Sequence, residues 1–137
     1  MRKISAKAEY ACLAVLALAT RRSDDPPLRI RDIAEPNNIP ENYLVQILLQ
    51  LKGAGLVHST RGASGGYRLA KTADSISLGE VLTAIDGPDQ PIREGDQPAS
   101  RALAIVWEHV RAAERSVLNQ TTIAHLASQI APRDWVI

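Results

Sequence analysis

The chemistry in this chain is concentrated between residues 52 and 71. Lys52, Arg61, Arg68 and Lys71 are cationic, His58 lies among them, and no acid interrupts the run. A chain whose formal net charge is only +1 has thus gathered positive charge in one place. Such a patch draws phosphate and displaces the counterions of a nucleic acid. At its centre is Arg61-Gly62-Ala63-Ser64-Gly65-Gly66, a tip whose glycines permit positive φ and close approach of backbone to a partner. Just upstream, Asn42, Tyr43 and Gln46 stand off an apolar stripe made by Leu44, Ile47, Leu48 and Leu51.

These side chains need a frame. The stripe repeats at three and four, so it predicts a helix that starts near Pro40, packs one face on a core and ends at Ala54-Gly55. A shorter helix, Ile30 to Glu35, precedes it, with Ile33 and Ala34 inward and Pro36 as its stop. Residues 56–60 and 67–69 read as two strands of a hairpin around the glycine tip. Helix, turn, helix and basic hairpin together make a winged helix-turn-helix, whose second helix enters a major groove while the wing reaches backbone or minor groove.

The rest of the chain supports that frame. Residues 5–21 predict a helix capped by Ser5, with Tyr10, Leu13, Ala14, Ala17 and Leu18 on one face. Val15, Leu16 and Ala19 make it apolar on most sides, so it should be central or lie between subunits. Residues 22–29 and 72–75 read as loop and turn. Ser77-Leu78-Gly79-Glu80 has capping-box spacing for a helix with Leu78, Val81, Leu82 and Ile85 inward, closed at Asp86-Gly87-Pro88. A polar loop spans 87–98.

The longest helix should run from about 99 to 119. Leu103, Val106, Val110, Ala113 and Val117 form an a/d seam along it. The winged part already has a core, so the seam implies a partner helix, most simply from a second copy. The bland alternative is that it packs on its own domain. A last short helix covers 123–130, stopped by Pro132, and Trp135, Val136 and Ile137 are an apolar tail. The organisation expected is therefore residues 1–86 for a DNA-binding domain, 87–98 for a loop, and 99–137 for dimerisation. The fold class is mainly α with a small β-hairpin wing.

Composition narrows the function classes. The 137 residues are 45% hydrophobic but only 4% aromatic, with no Phe, which favours helices packed through aliphatic side chains. No apolar run reaches the roughly 20 residues that span a bilayer, and the stretch after Arg2, Lys3 and Lys7 lacks a convincing signal cleavage site. The expectation is a cytoplasmic protein with no membrane contact. One cysteine, Cys12, excludes an intrachain disulfide and a cysteine cluster, and it reads as a small buried hydrophobe rather than a redox sensor. His58, His109 and His125 are scattered, and Ser64 lacks a hydrolase elbow, so an enzyme is not expected.

Four stretches, MRKISAKAEYACLAVLALA, IPENYLVQILLQLKGAGLV, STRGASGGYRLAK and ISLGEVLTAIDG, resemble the Rrf-two family of bacterial transcription regulators over almost the whole chain. The resemblance implies a homodimeric winged helix-turn-helix DNA-binding regulator, mostly a repressor. It implies that Asn42, Tyr43 and Gln46 face base edges or phosphates, and that Ser59, Arg61 and Gly62 contact DNA from the wing. Where some relatives carry a glutamate, this chain has Val45. Cluster-binding relatives place three cysteines before the long helix, whereas Asp86 to Arg101 contains none. Ala104 stands near a relative's histidine ligand, and Glu9 near a carboxylate ligand. No metal or cofactor is therefore expected, and the signal would be a small-molecule effector, held between the winged domain and the long helix, or oxidation of Cys12. The alternative function is a protein-interaction module that uses the winged fold.

Overall fold

The computed structural model describes residues 3–22 and 24–130. Their order is α1 (Ala6–Ala19), α2 (Ile30–Asn37), α3 (Glu41–Gly53), β1 (Val57–Thr60), β2 (Gly66–Leu69), α4 (Leu78–Asp86), α5 (Pro98–Gln120) and α6 (Ile123–Ser128), with a 3-10 turn at Ala73–Ser75 in place of the expected simple turn. This is the winged helix-turn-helix with a long C-terminal helix. The tail Trp135, Val136, Ile137 and the Pro132 stop lie outside the described residues.

Helix ends follow local chemistry. Ser5 caps α1, its Oγ accepting from the Ala8 N–H at 3.0 Å. Ser77 and Glu80 close the expected box on α4: Ser77 Oγ accepts from the Glu80 N–H at 3.1 Å, and Glu80 Oε1 accepts from the Ser77 N–H at 3.3 Å. At the end of α3, the N–H groups of Gly55 and Leu56 donate back to Lys52 and Leu51 carbonyls, both at 3.0 Å, with Gly55 at φ +78.

Two boundaries differ from expectation. Helix α2 passes through Pro36 to Asn37. Proline's fixed φ is itself helical, so what it removes is one N–H, on a solvent-facing turn. The stop is instead Asn38, left-handed at φ 54, with the Ile39 N–H donating to the Ala34 carbonyl at 3.0 Å. Pro40 precedes α3 in extended conformation rather than opening its first turn.

The core lies where α1, α3 and α4 meet. Ile33, Leu44, Ile47, Leu48, Leu51, Ile76 and Val81 are fully enclosed, and each such side chain contributes about 1.5 to 3 kcal/mol. Helix α1 is central, but its buried stripe is Ala8, Ala11, Ala14, Val15 and Leu18, and Tyr10, Leu13 and Ala17 are only partly covered. Small residues on the inner stripe let α1 sit close to its neighbours, which outweighs the larger side chains on the other flank. Helix α6 returns to this core: the Ile123 N–H donates to the Ile76 carbonyl at 2.8 Å, and Ile123 is fully buried.

The hairpin pairs Val57 with Leu69 and Thr60 with Gly66. Leu28 adds a single bridge on the other edge of β2, its N–H and carbonyl both bonded to Tyr67 at 3.1 and 2.7 Å. The loop expected at 22–29 thus ends in extended backbone on the outer edge of the wing.

Candidate nucleic-acid interface

Helix α3 has two opposite stripes. Leu44, Ile47, Leu48 and Leu51 face the core. Asn42, Val45, Gln46 and Leu49, displaced by two residues and hence by about half a turn, face outward and are exposed. Tyr43 is off both stripes, its ring meeting Tyr10 edge-on at 6.2 Å, which ties the start of α3 to α1. Of the wing residues, Arg61 and Gly62 are exposed at the tip, Gly62 at φ +101. Ser59 is half-buried, and its Oγ accepts from Lys52 Nζ at 2.9 Å. That contact draws the end of α3 and the wing together.

The cationic run divides. Lys71 pairs with Glu80 on α4 at 2.9 Å, and the Arg68 guanidinium donates to the Asp25 carbonyl behind the wing. Lys52 and Arg61 are exposed, Lys52 against Ser59 and Arg61 at the tip of the wing. Two cations from another part of the chain join them. Arg29 and Arg31 line a groove of about 580 Å³ between the start of α2 and the wing, together with Ser59, Thr60 and Arg61. Asp32 and Glu41 also reach it, Asp32 accepting from the Arg29 backbone N–H at 3.1 Å. The signal for Arg29 and Arg31 is an Arg-x-Arg pair at the start of α2, and the Leu28–Tyr67 bridge holds it beside the wing.

The long helix carries its seam in the open. Leu103, Val106 and Val117 are 52%, 50% and 62% exposed, and Ala104 is the one side chain that α5 buries among the described residues. Val110, Ala113 and Val117 line an apolar groove closed at one side by Ile4.

The family model described as Rrf2, iron-dependent transcriptional regulator, matches residues 4–129. The chain belongs to the Rrf2 family. Rrf2 membership makes it a DNA-binding transcriptional regulator and not an enzyme. A Mycobacterium tuberculosis (strain H37Rv) protein, named provisionally as an HTH-type transcriptional regulator, is 43% identical over 136 residues, 95% of this chain and 84% of that one. The solved structure of CymR, titled the global cysteine regulator of B. subtilis, superposes with a TM-score of 0.84 at 38% identity, covering 96% of this chain and all of that one. The T. potens IscR structure gives 0.78 at 31% identity, covering 95% and 89%. No described helix is long and apolar enough to cross a membrane.

The iron in the Rrf2 description finds no fitting donor set here. Thiolates are what hold iron–sulfur clusters, and the sequence has one cysteine, on α1. Among the described residues no three His, Cys, Asp or Glu side chains converge. Burial, with the Glu9 and Asp86 carboxylates adding to it, pushes the Cys12 thiol up to about 11. At neutral pH it stays a thiol, a poor nucleophile. Iodoacetamide at pH 8 should therefore label Cys12 in the folded protein roughly a hundredfold more slowly than in denaturant. Equal rates would show a thiol primed for oxidation.

Proposed function

We propose that the chain is a homodimeric, sequence-specific repressor that acts in the cytoplasm by occupying its operator. The observation that carries this is the exposed outward face of α3 in a helix tied to the wing by the Lys52–Ser59 hydrogen bond, with Arg61 exposed at the wing's tip. In this reading Asn42, Tyr43 and Gln46 contact base edges or phosphates from the major groove, while Ser59, Arg61 and Gly62 follow the adjoining backbone or minor groove. Arg29 and Arg31 add phosphate contacts from the α2 side of the wing. Residues 1–86 meet DNA, 87–98 link, and 99–137 pair two copies through Leu103, Val106, Val110, Ala113 and Val117. An apolar seam left open along a helix of 23 residues supports the pairing. A small-molecule effector would occupy the cleft of about 380 Å³ between α4 and α5, lined in part by Thr83, Arg111 and Arg115.

Fluorescence anisotropy on operator DNA, repeated over a salt series, tests the DNA reading. Affinity should fall steeply with salt. Arg61→Ala should cost about 1 to 3 kcal/mol if the guanidinium meets a base, and Arg29→Ala and Arg31→Ala should each lower the salt slope by about one. Unchanged affinity for Arg61→Ala removes the wing from the mechanism, and an unchanged slope for the other two removes the α2 groove.

A further inference from the structure

The outward stripe of α3 has a composition that solvent alone does not explain. Asn42, Val45, Gln46 and Leu49 stand at i, i+3, i+4 and i+7, and none is charged. A solvated helix face is normally polar or charged, yet Val45 is 40% and Leu49 62% exposed. Single exposed aliphatics are ordinary. These two lie one turn apart and alternate with two amides. Nothing in the described chain covers them. Lys52 continues the helix beyond Leu49 and bonds Ser59 of the wing, so one end of the stripe carries a group that attracts phosphate.

We propose that Val45 and Leu49 read thymine methyl groups, making this stripe selective for A·T pairs. The inference rests on the DNA-binding reading above and deepens it. Valine and leucine have no donor or acceptor, and the C5 methyl of thymine is the apolar feature that a base pair offers in the major groove. The neighbouring amides are the side chains suited to adenine N6 and N7. Two amides and two aliphatics in one stripe therefore match the two halves of A·T pairs. A guanine or cytosine at these positions would set its polar edge against an aliphatic side chain and lose hydration without a partner.

The test uses the duplex recovered when the full-length protein selects from a random library, with each thymine replaced in turn by uracil, which differs only by that methyl. One or two thymines per half-site should lose about fourfold in affinity on replacement, the worth of one buried methyl. Val45→Ala and Leu49→Ala should each shrink the loss at the thymine that side chain reads and leave the loss at the other. Alanine at an exposed helical site preserves the helix, which an unchanged far-ultraviolet signal would confirm. A recovered motif whose thymines are all replaceable without loss overturns the methyl readout and leaves the regulator reading standing. That result would also be obtained if the stripe served a protein partner. A library that yields no motif overturns both.

Discussion

Val106→Glu with Val117→Glu should leave a protein that folds normally and runs as a single chain. Both side chains are half exposed or more in the isolated protomer, and surface substitutions of this kind move stability by only about half a kcal/mol. In a dimer paired along α5 the same positions would be desolvated. Each carboxylate would lose water and stand near others of its own sign, a cost of several kcal/mol per buried ion. Sedimentation equilibrium should show one-chain mass for the variant and twice that for the parent. DNA affinity should fall on the order of a hundredfold or more, because a dimer gains its second half-site at high effective concentration. A variant that keeps two-chain mass would place the dimer contact elsewhere than on this seam.

Gly65→Ala is expected to disable the wing while the helical core stands. A Cβ at Gly65 would lie 2.1 Å from the Thr60 carbonyl oxygen and 2.9 Å from the Arg61 carbonyl carbon. Both are backbone atoms, so relief requires the whole 60–66 turn to move. That turn is held by the Gly65 N–H donating to the Gly62 carbonyl at 3.0 Å and by the last rung of the hairpin, Thr60 with Gly66. Moving it displaces Arg61. Affinity for operator DNA should fall at least as far as with Arg61→Ala, about tenfold or more. The far-ultraviolet signal should be almost unchanged, because the α1–α3–α4 core is untouched. Parental affinity in Gly65→Ala would mean that the tip is not held as described, or that it is not used.

The sequence showed most clearly those features that depend on neighbours in the chain. The α4 capping box, the stop of α3 at Gly55 and the apolar stripe of α3 are all local. So is the α5 seam, although its periodicity alone could not say whether a partner covered it. Features that depend on distant pairing were harder to read. The inner face of α1 is not legible because a helix rich in Ala, Leu and Val on most sides carries no strong direction, and its buried stripe, Ala8, Ala11, Ala14, Val15 and Leu18, is set by what packs against it. The cationic run from Lys52 to Lys71 is one patch in the sequence, but the fold turns Arg68 and Lys71 to the chain's own oxygens. Arg29 and Arg31 reach the wing through the Leu28–Tyr67 rung, a contact between residues far apart in sequence. Pro36 reads as a stop because proline lacks an N–H, yet an exposed last turn accommodates that loss and Asn38 closes the helix.

Sequence-specific reading of DNA by α3 and the wing is the property from which the other expected results follow. The measurement that tests it most directly is selection of genomic fragments by the purified protein, run in parallel with Arg61→Ala. The proposed dimer predicts one palindromic motif with half-sites about one helical turn apart, depleted in the variant. Recovery that is sequence-blind, salt-sensitive and equal for both proteins would contradict it.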